Sequence, residues 1–353
     1  MQLWNTLSKE ELVEQLNASG LEFVTISFYQ YANIANPQLF RDHLFSQWSK
    51  LNVVGRTYVA QEGINAQISV PIVHFEQFRD ELYQIDFLEE IRLNIAVEDA
   101  GVKFSFLKLK IKVRDKILAD GLDDTTFDVT NKGKHLSAQE FNELTAKPDT
   151  ILIDFRNHYE SEVGHFKGAL TPDVDTFRES LPLIEETILK GKEDQNIVMY
   201  CTGGIRCEKA SAWYKHRGFK NVHQLEGGII KYARDCKEEG LENKYVGKNF
   251  VFDERRGERI SEGIISNCHQ CGEPCDNHTN CLNDGCHLLF IQCDSCKEKL
   301  QNCCSQECTD VYNLPLEEQK ELRKNNMVSN KIFKKGRSEK LIYKANKEKT
   351  EVQ

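Results

Sequence analysis

Ile197-Val198-Met199-Tyr200-Cys201-Thr202-Gly203-Gly204-Ile205-Arg206-Cys207 decides how the chain is read. Its first four residues are an apolar run with a β-branched start and the length of a buried strand. Behind it, Glu208 to Tyr214 reads as a helix that ends at Gly218. A cysteine thus leaves a strand end and enters a glycine-bearing loop that feeds a helix N-terminus. Unpaired backbone N–H groups at such a start converge on an anion. A thiolate or persulfide is stabilised there, so Cys201 is expected to have a lowered pKa. Gly203 and Gly204 permit the positive φ values of a cradle-shaped loop, and Arg206 adds a fixed positive charge. A lone cysteine at a strand end is ordinarily a small buried hydrophobe. The loop around this one points instead to a catalytic thiol, with Thr202 to Ile205 as its loop. Cys207, six residues on, reads either as a second thiol that resolves Cys201 or as a packing residue.

Around this stretch, strands and helices alternate. Ser137 and Glu140 form a capping box ahead of a helix, Ile151 to Asp154 is a buried strand, and Asn157 to Gly168 is loop-rich. Phe177 to Leu189 is helical. Val222 to Leu225 is a strand, and a turn at Glu226-Gly227-Gly228 leads into a helix from Ile229. That alternation predicts a parallel α/β sheet, which places a reactive residue at the carboxyl end of a strand. Towards the N-terminus, Ser8 and Glu11 cap a short helix. Strands at 23–29, 53–60, 64–70 and 90–97 and helices at 37–51 and 74–82 follow. This β-α-β-β-α-β order is the ferredoxin-like pattern. From Leu107 to Arg114 the residues alternate strictly, with Lys108, Lys110, Lys112 and Arg114 on one face. Two readings are open: a surface for a phosphate backbone, or an edge strand that uses lysine against aggregation.

The chain has 353 residues, 40% of them hydrophobic, and a net charge of -9. That charge argues against indiscriminate nucleic-acid binding, and no DNA partner is expected. No apolar run reaches the ~18 residues of a membrane span, and no signal peptide is apparent, so a cytoplasmic protein without a membrane partner is expected. From Lys320 to Gln353 there are eleven Lys or Arg against four Glu. This basic end is either an RNA contact or a solvated, flexible tail.

Ten of the thirteen cysteines fall between Cys268 and Cys308. Cys268-x-x-Cys271 and Cys293-x-x-Cys296, separated by 21 residues, have zinc-ribbon spacing. Cys275, Cys281, Cys286, Cys303, Cys304 and Cys308 remain for a second site. Structural zinc with four thiolates, one or two ions per chain, is the reading; an iron–sulfur centre is the rival. The nearby histidines are expected at the surface or around the ligands. The expected organisation is an N-terminal helix at 1–20, a ferredoxin-like RNA-binding domain at 21–120, a linker at 121–134 and a parallel α/β domain at 135–240. A connector at 241–267, a cysteine-rich zinc module at 268–310 and a basic flexible tail at 311–353 complete it.

Asp154-Phe155-Arg156, Tyr159-Glu160, Gly164 to Ala169, the Cys201-to-Arg206 loop and Leu225-Glu226-Gly227-Gly228-Ile229 together resemble rhodaneses. With Gly63-Ile64-Asn65-Ala66, Asn249 to Arg255 and the cysteine-rich end added, residues 20–310 resemble the bacterial tRNA uridine hydroxylase family. The resemblance implies an oxidoreductase that forms 5-hydroxyuridine at wobble position 34, with molecular oxygen as co-substrate and a reductant left open. It implies a tRNA anticodon stem-loop as partner, Cys201 as the active-site cysteine with Arg206 as a catalytic residue beside it, and Asp154, Arg156 and Glu226 in support. From the residues alone, a persulfide sulfurtransferase delivering sulfur to a protein or small acceptor is the alternative.

Overall fold

The computed structural model describes residues 7–97, 102–124, 126–325 and 335–344. Among these the chain forms two compact units. The first holds residues up to 156, 168–244 and 251–258; the second holds 157–167, 245–250 and 259 onward.

The first unit contains two sheets. In the N-terminal one, β1 (Phe23–Tyr31), β2 (Val54–Ala60), β3 (Gly63–Pro71), β4 (Asn94–Ile95) and β5 (Leu109–Val113) lie in the order β4-β1-β3-β2-β5. The first four have the ferredoxin-like arrangement, and β5 adds a parallel edge beside β2. The period-two pattern assigns the faces. Ile26, Phe28, Ile64, Ile68 and Ile111 turn inward against Leu44, Trp48, Phe78 and Leu82 of the helices Pro37–Lys50 and Phe75–Tyr83. Each such buried side chain stabilises the domain by about 1.5–3 kcal/mol. Both expected capping boxes form, at Ser8/Glu11 and Ser137/Glu140. The strand expected over 90–97 shrinks to Asn94–Ile95, which pair with Ser27 and Ile26 of β1.

The second sheet of this unit is parallel. It is built from β6 (Lys134–Leu136), β7 (Thr150–Asp154), β9 (Asn196–Tyr200) and β10 (Asn221–Leu225) in the order β6-β10-β9-β7. β9 is an inner strand, and Ile197 to Tyr200 are buried, as an uninterrupted apolar run requires when both faces are covered. The helices Ile205–His216 and Gly228–Glu239 follow β9 and β10.

In the second unit, β8 (Gly164–Phe166) pairs antiparallel with Tyr245–Asn249. The stretch expected to be loop-rich, 157–168, therefore holds a short helix, His158–Ser161, and this strand. Residues 157–167 group with the second unit. A second pair, His278–Asn280 with Leu289–Ile291, carries the cysteine-rich segment. The expected flexible tail differs as well. Leu316–Asn325 is a helix. Leu341 is fully buried beside Cys281, Cys304 and Cys308, and Lys344 Nζ pairs with Glu162 at 2.9 Å. The rest of the basic end, 326–334 and 345–353, lies outside the described residues. No helix among the described residues is long and apolar enough to cross a membrane.

Candidate active site and cysteine clusters

Cys201 stands where β9 ends, and the loop behind it turns back over its sulfur. The Gly204 N–H donates to Cys201 Sγ at 3.2 Å. Gly204 has φ +105°, and a Cβ there would come within 2.7 Å of Tyr29 Oη, so both the turn and the close approach require glycine. Gly228 holds the loop from behind. Its Cβ would meet the Cys201 carbonyl oxygen at 2.5 Å. The N–H groups of Ile229 and Ile230 donate to the carbonyls of Cys201 and Thr202 at 3.1 and 3.2 Å. The second helix thus uses its N-terminal donors to fix the loop.

Burial pushes the Cys201 thiol up. The Cys207 thiol, the Arg206 guanidinium and the backbone N–H groups of Cys207 and Gly204 outweigh burial and bring it down to about 6. Cys207 moves the other way: burial and the neighbouring Cys201 sulfur keep it protonated. The pair therefore divides into one thiolate and one thiol that donates to it. Arg206 is buried and also donates from Nη1 to the Phe155 carbonyl at 3.3 Å.

Cys201, Thr202, Gly203, Ile205 and Arg206 line one side of a cavity of about 90 Å³. The opposite wall is the N-terminal sheet, with Thr25, Ser27, Tyr29, Asn65, Gln67 and Asn94. Val251, Phe252, Asp253, Arg255 and Glu258 close it. Arg255 is clamped by Asp253 and by Glu258 at 2.6 Å, one cation held between two carboxylates. Thr202 Oγ1 is buried with no hydrogen-bond partner among the described residues.

Other expected site residues take supporting places. Asp154 and Arg156 form a fully buried pair at 2.5 Å, with Arg156 against the Tyr200 ring. Glu226 pairs with Arg92, and its N–H donates to the Leu136 carbonyl at 3.0 Å. None of the three lines the cavity. Lys110 and Lys112 stand exposed on β5, with Lys108 and Arg114 flanking the strand.

Two residues that follow the loop carry no motif that singles them out in the sequence. Glu208 is buried and accepts from Tyr29 Oη at 3.2 Å. His135 Nε2 and Lys132 Nζ lie 3.0 and 3.1 Å from it. Lys209, 2% exposed, reaches Glu62 at 2.8 Å and Asp120 at 2.6 Å. The Glu208–Tyr29 and Lys209–Glu62 contacts bind the helix Ile205–His216 to the N-terminal domain. The one signal for them is a charged pair followed by Ala210-Ser211-Ala212, small residues that mark close packing.

In the second unit the cysteines resolve into two sets, Cys268/Cys271/Cys293/Cys296 and Cys281/Cys286/Cys304/Cys308, each with its sulfurs within 4.8 Å of one another. Neighbouring sulfurs stand at 3.6 Å (Cys271–Cys293), 3.7 Å (Cys286–Cys304) and 3.6 Å (Cys304–Cys308). Four thiolates at about 2.3 Å from one tetrahedral ion are about 3.8 Å apart. Both sets fit a single ion; a multi-iron cluster between the sulfurs needs them further apart. The second set omits Cys275 and Cys303. Cys275 Sγ accepts the Asn277 N–H at 3.4 Å, and Cys303 packs with Leu288, Phe290 and Leu341. No histidine joins either set among the described residues. His269 is nonetheless buried and pairs with Glu162 at 2.9 Å.

A cysteine cradled between an inner parallel strand and a helix places the central part of the chain among rhodanese-like folds. A family described as "Rhodanese-like domain" matches residues 137–235, "UPF0176 acylphosphatase like domain" matches 23–117, and "Rhodanase C-terminal" matches 246–309. The tRNA uridine(34) hydroxylase of Enterobacter sp. (strain 638) is 56% identical over 336 residues, 95% of both chains. Those of Escherichia fergusonii and Photorhabdus laumondii are 55% and 53% identical, again over 95% of both chains. The chain belongs to the tRNA uridine(34) hydroxylase family.

Proposed function

We propose that this protein hydroxylates uridine 34 of tRNA to 5-hydroxyuridine, with Cys201 as the nucleophile and molecular oxygen as co-substrate. The observation that carries the reading is a thiolate, formed at a pKa of about 6, on the wall of a cavity with polar residues opposite. The base leaves its stack to enter.

Addition of the Cys201 thiolate to C6 of uracil places an electron pair on C5, which attacks the oxidant. Loss of the C5 proton and expulsion of Cys201 restore the double bond. One oxygen atom enters the base; two electrons and two protons from a donor reduce the other to water. Arg206 and the loop N–H groups face the negative charge that develops, and Thr202 Oγ1 offers a hydrogen bond to the base. Lys108, Lys110, Lys112 and Arg114 hold phosphates of the anticodon stem-loop.

The two cysteine sets would hold zinc. Bound there it cross-links the second unit with no open coordination position. The protein acts in the cytoplasm, where tRNA is.

The test is nucleoside mass spectrometry of tRNA from cells lacking this protein. Uridine carrying one extra oxygen should disappear and return with the wild-type gene but not with Cys201→Ser. Disappearance of a thiolated nucleoside instead would favour the sulfurtransferase reading.

A further inference from the structure

We propose that the polar face of the N-terminal sheet is a track along which a single-stranded segment of RNA reaches Cys201. The inference rests on the tRNA reading above and extends it to residues outside both the loop and the lysine ladder. Asn94 stands opposite Ser27, Ser27 opposite Gln67, Gln67 opposite Arg56, and Arg56 opposite Lys110. Directly opposed residues share a face, so this one polar row crosses all five strands. At the ~4.8 Å spacing of neighbouring strands it spans about 19 Å. A second row, Tyr29-Asn65-Tyr58-Lys112, runs beside it.

The two ends differ in character. At one end Asn94 Nδ2 and Ser27 Oγ each lie 3.9 Å from where a Gly203 side chain would begin, and Ser27 and Gln67 wall the Cys201 cavity. At the other, Arg56, Lys110 and Lys112 are exposed and have no acidic partner among the described residues. Burial and the like charges of Lys112, Lys108 and Arg56 push the Lys110 ammonium down, a repulsion that phosphates relieve. Arg114 lies over the Tyr58 ring at 5.8 Å, leaving a half-buried aromatic beside the cations. Cations for phosphates, an aromatic face for stacking, then amides and a hydroxyl for base edges and 2′-OH groups make a single-strand surface. A protein partner would look for an apolar anchor, and neither row contains an aliphatic residue.

The test compares wild type, Arg56→Gln, Arg56→Glu and Arg56→Lys, with circular dichroism as the folding check. Steady-state hydroxylation of tRNA is measured alongside salt-dependent binding of an anticodon stem-loop RNA. Arg56→Glu should raise KM by about tenfold or more with kcat within about twofold, and Arg56→Lys should stay near wild type. Arg56→Gln should lower the log–log salt slope by about 0.7, the value for a phosphate contact on a single strand. Unchanged KM and slope in folded Arg56→Glu and Arg56→Gln would overturn the track. A wild type that binds this RNA with an Arg56-dependent slope but never hydroxylates it would sink the catalytic reading and leave the track standing.

Discussion

Two regions of this molecule gather thiols at turns, and they surround them differently. At the rhodanese-like loop, Cys201 meets one other thiol, a guanidinium and backbone N–H groups, which bring its pKa to about 6. In the second unit, four sulfurs converge within 4.8 Å in each of two sets, and backbone N–H groups again point at them, Cys293 to Cys268 Sγ and Cys304 to Cys281 Sγ at 3.4 Å. Donors aimed at sulfur are common to both, so they do not distinguish a nucleophile from a ligand. The count of converging sulfurs does. One thiolate beside a cavity is left to react; four thiolates repel one another until a cation sits among them.

Metal removal should break this comparison most visibly. Two zinc ions per chain and no visible absorbance are expected by metal analysis. Stripping them should unfold the second unit, since structural zinc contributes about 10–16 kcal/mol to small modules of this kind. Cys281→Ser should lower the zinc content to about one, while Cys275→Ser and Cys303→Ser retain two. A brown protein with acid-labile sulfide would show that the sulfur spacing was misread.

Next in size is Cys201→Ser. Hydroxylation should fall on the order of 10³-fold or more, the scale of losing a nucleophile, with circular dichroism and zinc content unchanged. Near-normal turnover would remove Cys201 from the chemistry. The charge ladder should matter less. Alanine at Lys108, Lys110, Lys112 and Arg114 together should weaken all tRNAs about equally, and each cation removed from a phosphate should flatten the log–log salt slope by slightly less than one. An unchanged slope would make the strand a charged sheet edge.

The smallest effect sharpens the loop itself. Alkylation of Cys201 should rise with pH around a midpoint of about 6, because the thiolate reacts and its pKa is lowered from 9.0. The rate should therefore drop about tenfold between pH 8 and pH 5. Arg206→Gln should move the midpoint upward; a midpoint that stays put would mean the guanidinium does not act on the sulfur. Cys207→Ser keeps a donor beside Cys201 and should cost hydroxylation less than Cys201→Ser. An equal reduction would indicate two reacting cysteines.

What the sequence determined by itself was local. Capping boxes at Ser8 and Ser137, the apolar run of β9, the glycines behind Cys201 and the Cys-x-x-Cys pairs each depend on residues a few positions apart, so their chemistry is written in order along the chain. The strict alternation from Leu107 to Arg114 likewise assigned Ile111 to the core and Lys110 and Lys112 to solvent. Only the tertiary structure chose among equivalents. It set Cys304 rather than the adjacent Cys303 among four converging sulfurs, because it is the Cys304 sulfur that reaches Cys286 and Cys308, at 3.7 and 3.6 Å. It buried Glu208 and Lys209, whose partners Tyr29, Glu62, His135 and Asp120 lie about 70 to 180 residues away. It also laid Ser27, Gln67 and Asn94 opposite Cys201. Each alone is an ordinary polar residue on a half-covered strand; strand register and the seating of the loop on the sheet make them walls of one cavity, and neither can be read from neighbours in sequence.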